Sequence, residues 1–279
     1  MHRRSFELVP PHAPERVIRG RIETLGSADD PRPHVVIVHG FKGFMNWGFF
    51  PELSERIARA GWTAISFNMS GSGIGPDLLS FSDDAGFRTN SMARELDDLS
   101  CVAAYARSTD VPEAQDDRRA LVGHSFGGGL SILHASETTD WNGLVTWASV
   151  ATLDRFPERA KEVWRATGVL EIPNARTGQI HRIDLGWLED LEANLAGRYD
   201  LVRAARAVEA PVHLLHARDD ESVRIEESER LAAALTAGTL TAFETGGHTF
   251  GARHPLAEVP PVLERALDET LASLARCLG

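Results

Sequence analysis

Lysine is nearly absent from this chain. Lys42 and Lys161 are the only two among 29 basic residues, and the rest are scattered arginines. With 40 acidic residues the net charge is −11, which argues against nucleic acid or an anionic membrane surface as the main partner. Cysteine is equally scarce. Cys101 and Cys277 stand far apart in sequence, so two buried free thiols are expected rather than a disulfide. No Cys/His cluster has metal-site spacing. No apolar run approaches the ~18 residues of a membrane-spanning helix. The basic start Met1-His2-Arg3-Arg4 is not followed by an apolar stretch, so no signal peptide is expected and the reading is a cytoplasmic protein. Internal repeats and low-complexity tracts are lacking too.

What is present is an ordinary globular composition, 43% hydrophobic and 25% charged over 279 residues, enough for one large α/β domain or two small ones. Residues 5–9 and 17–23 read as two antiparallel edge strands around a Pro-rich turn. The run His34-Val35-Val36-Ile37-Val38-His39-Gly40 has the character of a strand buried on both faces. A glycine- and aromatic-rich loop follows at 41–48, then a helix at 51–60, a strand at 62–68, a polar loop to Asn90 and an amphipathic helix at 91–106. Strands at 144–147, 212–216 and 240–243 and helices at 225–235 and 262–274 continue the alternation. Such alternation implies an α/β fold, a doubly wound and mostly parallel sheet. Residues 151–208 interrupt it with helical pieces near 158–166 and 187–195 and a hairpin of 169–172 with 179–183. The expected organisation is a single domain over 1–279 with a cap inserted at 151–208.

Gly123-His124-Ser125-Phe126-Gly127, followed by Gly128 and Gly129, lies between the apolar run 119–122 and helical residues 130–135. Strand, Gly-x-Ser-x-Gly, helix is the layout of a nucleophile elbow. A serine in so tight a turn takes strained backbone angles, and glycines two residues away remove side chains that would collide. The strain presents the Ser125 hydroxyl at a helix N-terminus, whose free N–H groups suit a developing negative charge.

A serine nucleophile needs a base, and the base needs an acid to orient it. In chain order these should follow the elbow after later strands. His216-Ala217-Arg218-Asp219-Asp220-Glu221-Ser222-Val223 ends a strand with acids, and Gly246-Gly247-His248-Thr249-Phe250 follows the last strand. Strand ends at the C-terminal edge of a parallel sheet converge on one crevice. Asp219 and Asp220 are rivals for the acid, with Asp154 a third candidate. His39 reads as a residue holding its own loop, and His124 as a packing residue that points away from the crevice. His134, His181, His213 and His254 lack a Gly-His context. Lys42 either meets an anionic substrate or is solvated. The stretch Gly71-Ser72-Gly73-Ile74-Gly75-Pro76 fails the dinucleotide fingerprint at its last position.

With these motifs the chain resembles the α/β-hydrolase superfamily over nearly its whole length. The matching features are His39-Gly40-Phe41, Ser70-Gly71-Ser72-Gly73, the elbow, Asp220 to Val223 as Asp-x-x-Val, and Gly247-His248. Within the superfamily it is similar to bacterial serine esterases and their peptidase-like relatives, the cinnamoyl esterase group included. The resemblance implies Ser125 as nucleophile, His248 as base and Asp220 as acid. It also implies the backbone N–H groups of Phe41 and Phe126 as the oxyanion hole. The implied activity is hydrolysis of a small-molecule carboxylic ester through an acyl-enzyme, without metal or organic cofactor. A peptidase or amidase would use the same parts, and a hydrolase-like small-molecule receptor would share the fold. Serine as nucleophile argues against dienelactone hydrolase and haloalkane dehalogenase. Phe156, Trp164, Trp187, Leu153 and Leu188 give the insertion apolar bulk, from which an acyl or alcohol pocket is expected to draw. Oligomeric state is left open.

Overall fold

The computed structural model describes residues 1–11, 13–26, 30–108, 110–111, 116–173 and 178–279. The strands are β1 (His2–Leu8), β2 (Ile18–Thr24), β3 (His34–Val38), β4 (Thr63–Asn68), β5 (Arg119–His124), β6 (Gly143–Trp147), β7 (Val169–Pro173), β8 (Ile180–Asp184), β9 (Val212–Ala217) and β10 (Gly238–Phe243). Eight of them form one sheet in the order β1-β2-β4-β3-β5-β6-β9-β10. The pairs β1–β2 and β2–β4 are antiparallel and every pair from β4 to β10 is parallel. Only β1 is therefore an outer strand at that end; β2 lies between β1 and β4, not at an edge.

The helices are α1 (Phe50–Arg59), α2 (Asp84–Arg88), α3 (Met92–Tyr105), α4 (Phe126–Ser136), α5 (Glu158–Thr167), α6 (Gly186–Asn194), α7 (Leu201–Ala207), α8 (Ile225–Ala234) and α9 (Pro261–Leu278). Ser91 caps α3, accepting the Arg94 N–H at 3.3 Å. Alternate residues of each parallel strand feed two separate cores. Val36, Val38, Leu121 and Leu144 pack with α3, α4 and α8 residues such as Leu96, Leu130 and Leu231. Val35, Ile37, Val122 and Val145 pack with α1 and α9 residues such as Leu53, Ile57, Leu263 and Leu267. This two-sided burial is why the strand sequences are continuous rather than alternating. The fold is α/β, as the alternation implied.

Three local features differ from the sequence reading. The loop before Asn90 contains α2, a single short turn capped by Asp83, which accepts the Gly86 N–H at 2.9 Å; five residues are too few to show a helical period. α7 was equally hidden, because a seven-residue helix shows barely two turns. Cys101 and Cys277 are free but only partly buried. Among the described residues, no helix is long and apolar enough to cross a membrane.

Segment 151–208 holds α5, the antiparallel hairpin β7–β8, α6 and α7; residues 174–177 of its expected turn lie outside the described residues. The Asp190 carboxylate of α6 accepts the Ala93 N–H at the start of α3 at 3.0 Å, and the Tyr199 hydroxyl at 2.9 Å. Arg88 of α2 pairs with Asp184 at 2.8 Å. The segment is thus tied by polar contacts to the helices beside the elbow.

Candidate active site

β5 ends at His124 and α4 begins at Phe126, so Ser125 occupies the junction alone. Its φ of 57° and ψ of −118° are strained for a residue with a side chain. The strain is held in place by the Ser125 N–H donating to Trp147 O at 2.8 Å and by Gly128 N–H donating to Ser125 O at 3.0 Å. The glycines of the motif are steric necessities. A Cβ on Gly123 would lie 2.5 Å from Gly127 O, and one on Gly127 would lie 2.4 Å from the carbonyl oxygens of Val38 and His39.

His248 sits on a one-turn 3₁₀ helix just after β10, and its imidazole spans two partners. Nε2 lies 3.0 Å from Ser125 Oγ and Nδ1 lies 2.8 Å from Asp220 Oδ2. The Asp220 side chain is fully buried. Its Oδ1 accepts the Ser222 N–H at 2.8 Å and the Val223 N–H at 3.0 Å. Burial alone would raise the carboxyl pKa; hydrogen bonds from His216 and His248 and from the Val223 N–H outweigh it and hold the group well below the usual carboxylate range. The adjacent Asp219 does something else. Its carboxylate accepts the N–H groups of Gly246 at 3.2 Å and Gly247 at 2.8 Å, and so fastens the loop that carries His248.

His216 is a contributor that the sequence reading passed over as a strand end. Its Nε2 lies 2.8 Å from Val223 O and 3.3 Å from Asp220 Oδ2, both acceptors, so this nitrogen carries a proton. The Ser228 hydroxyl, 2.7 Å from Nδ1, fixes the ring from α8. His216 therefore clamps the acid loop from within the sheet. The visible signal was a histidine closing a strand four residues before the acid.

His124 does not point away from the crevice as expected. Its Nε2–H donates to the His248 main-chain carbonyl at 2.9 Å, and the two rings are 4.8 Å apart. Burial, followed by the charge of His248, pushes its pKa down to about 3, so it serves as a neutral prop. His39 holds its loop. The Met69 N–H donates to Nε2 at 3.0 Å, which leaves the proton on Nδ1 to bond Gly40 O at 2.9 Å. Its pKa is pushed down to about 4 by burial. The other histidines are engaged elsewhere: His134 with Trp141, His213 with Thr241, His254 with the Gly48 N–H and His181 against Phe81. Asp154 is paired with Lys161.

The loop after β3 passes close to the elbow, since a Cβ on Gly40 would lie 3.1 Å from Ser125 Cβ. This brings Phe41 beside Phe126, the first residue of α4, with ring centroids 6.1 Å apart. Among the described residues neither the Phe41 nor the Phe126 N–H has a hydrogen-bond acceptor. At a helix start such a free donor is expected and is suited to an anion.

A cavity of about 240 Å³ opens beside Ser125 and His248, walled by Phe41, Trp47, Phe50 and His124 with Lys42 at its rim. Among the described residues, no acidic residue and no residue of segment 151–208 lines it. Trp164, Leu153 and Leu188 of the segment are fully buried, and Trp187 is 2% exposed. A larger cavity of about 460 Å³ lies between Pro10, Pro11 and α3. Among the described residues it holds no hydrogen-bonded serine–histidine pair, so the smaller cavity is the candidate site. Among the described residues no group of three or more His, Cys, Asp or Glu could hold a metal ion.

The sheet order and the elbow geometry are those of an α/β hydrolase. A putative hydrolase from Agrobacterium vitis S4 matches with a TM-score of 0.74 at 20% identity, over 98% of this chain and 100% of that one. Est1E from Butyrivibrio proteoclasticus matches with a TM-score of 0.70 at 15% identity, over 98% and 99%. The esterase domain of a Rhodothermus marinus protein gives 0.65 at 18% identity, over 100% of both. At such identities the likeness is one of fold. No curated protein matches the sequence. The family profile of serine aminopeptidase S33 (Hydrolase_4) matches residues 29–190, more than half of the chain, and the protein belongs to that family. It is a hydrolase of the α/β class.

Proposed function

We propose that the protein hydrolyses carboxylic esters through an acyl-enzyme on Ser125. The observation that carries this reading is the unbroken line Asp220–His248–Ser125, with contacts of 2.8 and 3.0 Å, ending at a cavity lined by Ser125, His248 and Phe41. His248 Nε2 takes the Ser125 proton as Oγ forms a bond to the substrate carbonyl carbon. The carbonyl oxygen becomes an oxyanion, held by the N–H groups of Phe41 and Phe126. Collapse breaks the bond to the alkoxy group, which leaves with the proton from His248. Water then attacks the acyl carbon with His248 again as base, releasing the acid and restoring Ser125. Asp220 keeps the proton of the neutral imidazole on Nδ1 and stabilises the imidazolium.

The family's description favours a second reading, removal of N-terminal residues from peptides. The cavity speaks for the ester. An aminopeptidase must neutralise the α-ammonium of its substrate, whereas among the described residues the only permanently charged side chain lining this cavity is the cation Lys42. In this reading residues 1–279 form one domain, and segment 151–208 is a cap inserted in it. The deciding experiment is a p-nitrophenyl ester chain-length series beside feruloyl esters and aminoacyl-nitroanilides, with fluorophosphonate labelling of Ser125. Ester turnover with labelling is expected. Faster anilide turnover would move the assignment to a peptidase, and labelling with a single turnover would point to a receptor.

A further inference from the structure

Two backbone donors act as one oxyanion hole only if their spacing is held to a few tenths of an ångström. Phe41 comes from the loop after β3 and Phe126 from the elbow. Below them, Gly40 and Gly127 set the approach of the two main chains through close contacts. Above them, one ring touches both side chains, while Phe87 stacks on Phe41 alone at 6.1 Å. Trp187 of α6 lies with its centroid 5.5 Å from Phe41 and 6.2 Å from Phe126, in tilted contact with both. Phe156 adds an edge-on contact to Phe41 at 6.4 Å. Trp187 is 2% exposed and does not line the cavity at Ser125. Its buried indole N–H has no acceptor among the described residues, so whatever the side chain contributes comes from ring area and shape. Next to Phe41 the backbone is strained, with Lys42 at a φ of 58°. A loop in that state depends on external packing to stay in place. α6 is itself pinned to α3 by the Asp190 carboxylate on the Ala93 N–H.

From this geometry we infer that Trp187 is a positioning residue for both oxyanion donors, and that segment 151–208 acts on the chemistry through it rather than by walling the substrate. The inference rests on the ester-hydrolase reading. It has a distinct consequence. A pocket wall discriminates between acyl groups, whereas a brace behind the donors affects the transition state of every ester alike. Loosening the brace should cost less than the ~10²–10³-fold that follows complete loss of one donor.

The test uses the full chain with Trp187→Ala, Trp187→Phe and Phe156→Ala, the last at a half-buried position in case the first does not fold. Each is assayed on a short and a long p-nitrophenyl ester and against an alkyl trifluoromethyl ketone. That probe adds Ser125 Oγ to its carbonyl carbon and leaves an oxyanion in the hole. Trp187→Ala should lower kcat about 10-fold on both esters with little change in KM, and weaken the ketone by a similar factor. Trp187→Phe should restore most of both, and Phe156→Ala should show a smaller loss of the same pattern. Plain destabilisation acts differently: irreversible loss of enzyme leaves the ketone inhibition constant unchanged, and reversible unfolding raises KM and that constant by the same factor, so a weaker ketone at unchanged KM reports on the hole. An unchanged constant in the variants of an active wild type overturns the inference alone. So does a loss confined to the long ester, which would make the segment a specificity wall. A wild type that neither turns over esters nor labels at Ser125 overturns the ester reading and this inference together.

Discussion

At the elbow the chain is held by contacts between main-chain atoms, whereas segment 151–208 meets the same surroundings through ring faces. Gly123 and Gly127 lie so close to neighbouring carbonyls that a single methyl group would come within 2.5 Å. Trp187 instead rests on Phe41 and Phe126 at ordinary ring separations. The first kind of contact tolerates one residue type at a position. The second tolerates several of about the right size, since volume-conserving apolar swaps cost little. Rigid geometry is therefore written into motifs, and its support is written into bulk.

The difference can be probed in order of expected effect. Removing the nucleophile is the strongest intervention. Ser125→Ala should lower kcat by on the order of 10⁴-fold or more while circular dichroism stays native, because the covalent route is lost and the turn is not. A variant that keeps most of its activity would end the acyl-enzyme mechanism. Next comes the acid. Asp220→Asn should cost up to about 10⁴ in kcat by favouring the wrong imidazole tautomer. Asp219→Asn should stay within a few-fold of wild type, because its role is to bond two glycine N–H groups. The reverse ranking, measured on one ester, would exchange the two roles. Trp187→Ala should fall between the two aspartate variants.

The smallest effect is one of stability. His39 and His124 have folded pKa values pushed down to about 4 and about 3 from 6.5. As pH falls below ~6.5 the unfolded chain takes up protons that the folded chain refuses, so stability should decline steadily towards pH ~4. Melting temperatures between pH 7.5 and 4.5 should drop less steeply for His39→Gln than for wild type. Parallel curves would mean that His39 is protonated in the folded state.

The parallel strands were legible because a strand buried on both faces is largely apolar, and His34–Val38 is so after its first residue and Val212–Ala217 at four of six positions. Ser125 and His248 stood out because glycines flank both: at the elbow a Cβ would collide, and before His248 the backbone takes φ of 148° at Gly246 and 57° at Gly247. The choice between Asp219 and Asp220 could be framed from their distance to Val223, but which carboxylate faces the imidazole depends on how the loop turns. His124 was misread because its direction is set by Phe49 and Phe50, on another element. Phe156 and Trp187 were recognisable as apolar bulk, yet not as neighbours of Phe41.

Local sequence thus determined the α/β alternation, the elbow and the short list of residues able to act with it, since steric exclusion and periodic burial operate within a few residues. Three-dimensional packing alone decided that His216 and His124 brace the acid and the base, that Asp219 fastens a loop, and that Trp187 and Phe156 of segment 151–208 rest on Phe41. Apart from the His216–Asp220 contact, which spans four residues, each of these joins segments distant in sequence. Hydrogen bonds and ring contacts of that kind need only a donor, an acceptor or an apolar face of suitable size at the meeting point, so they leave no spacing to be read.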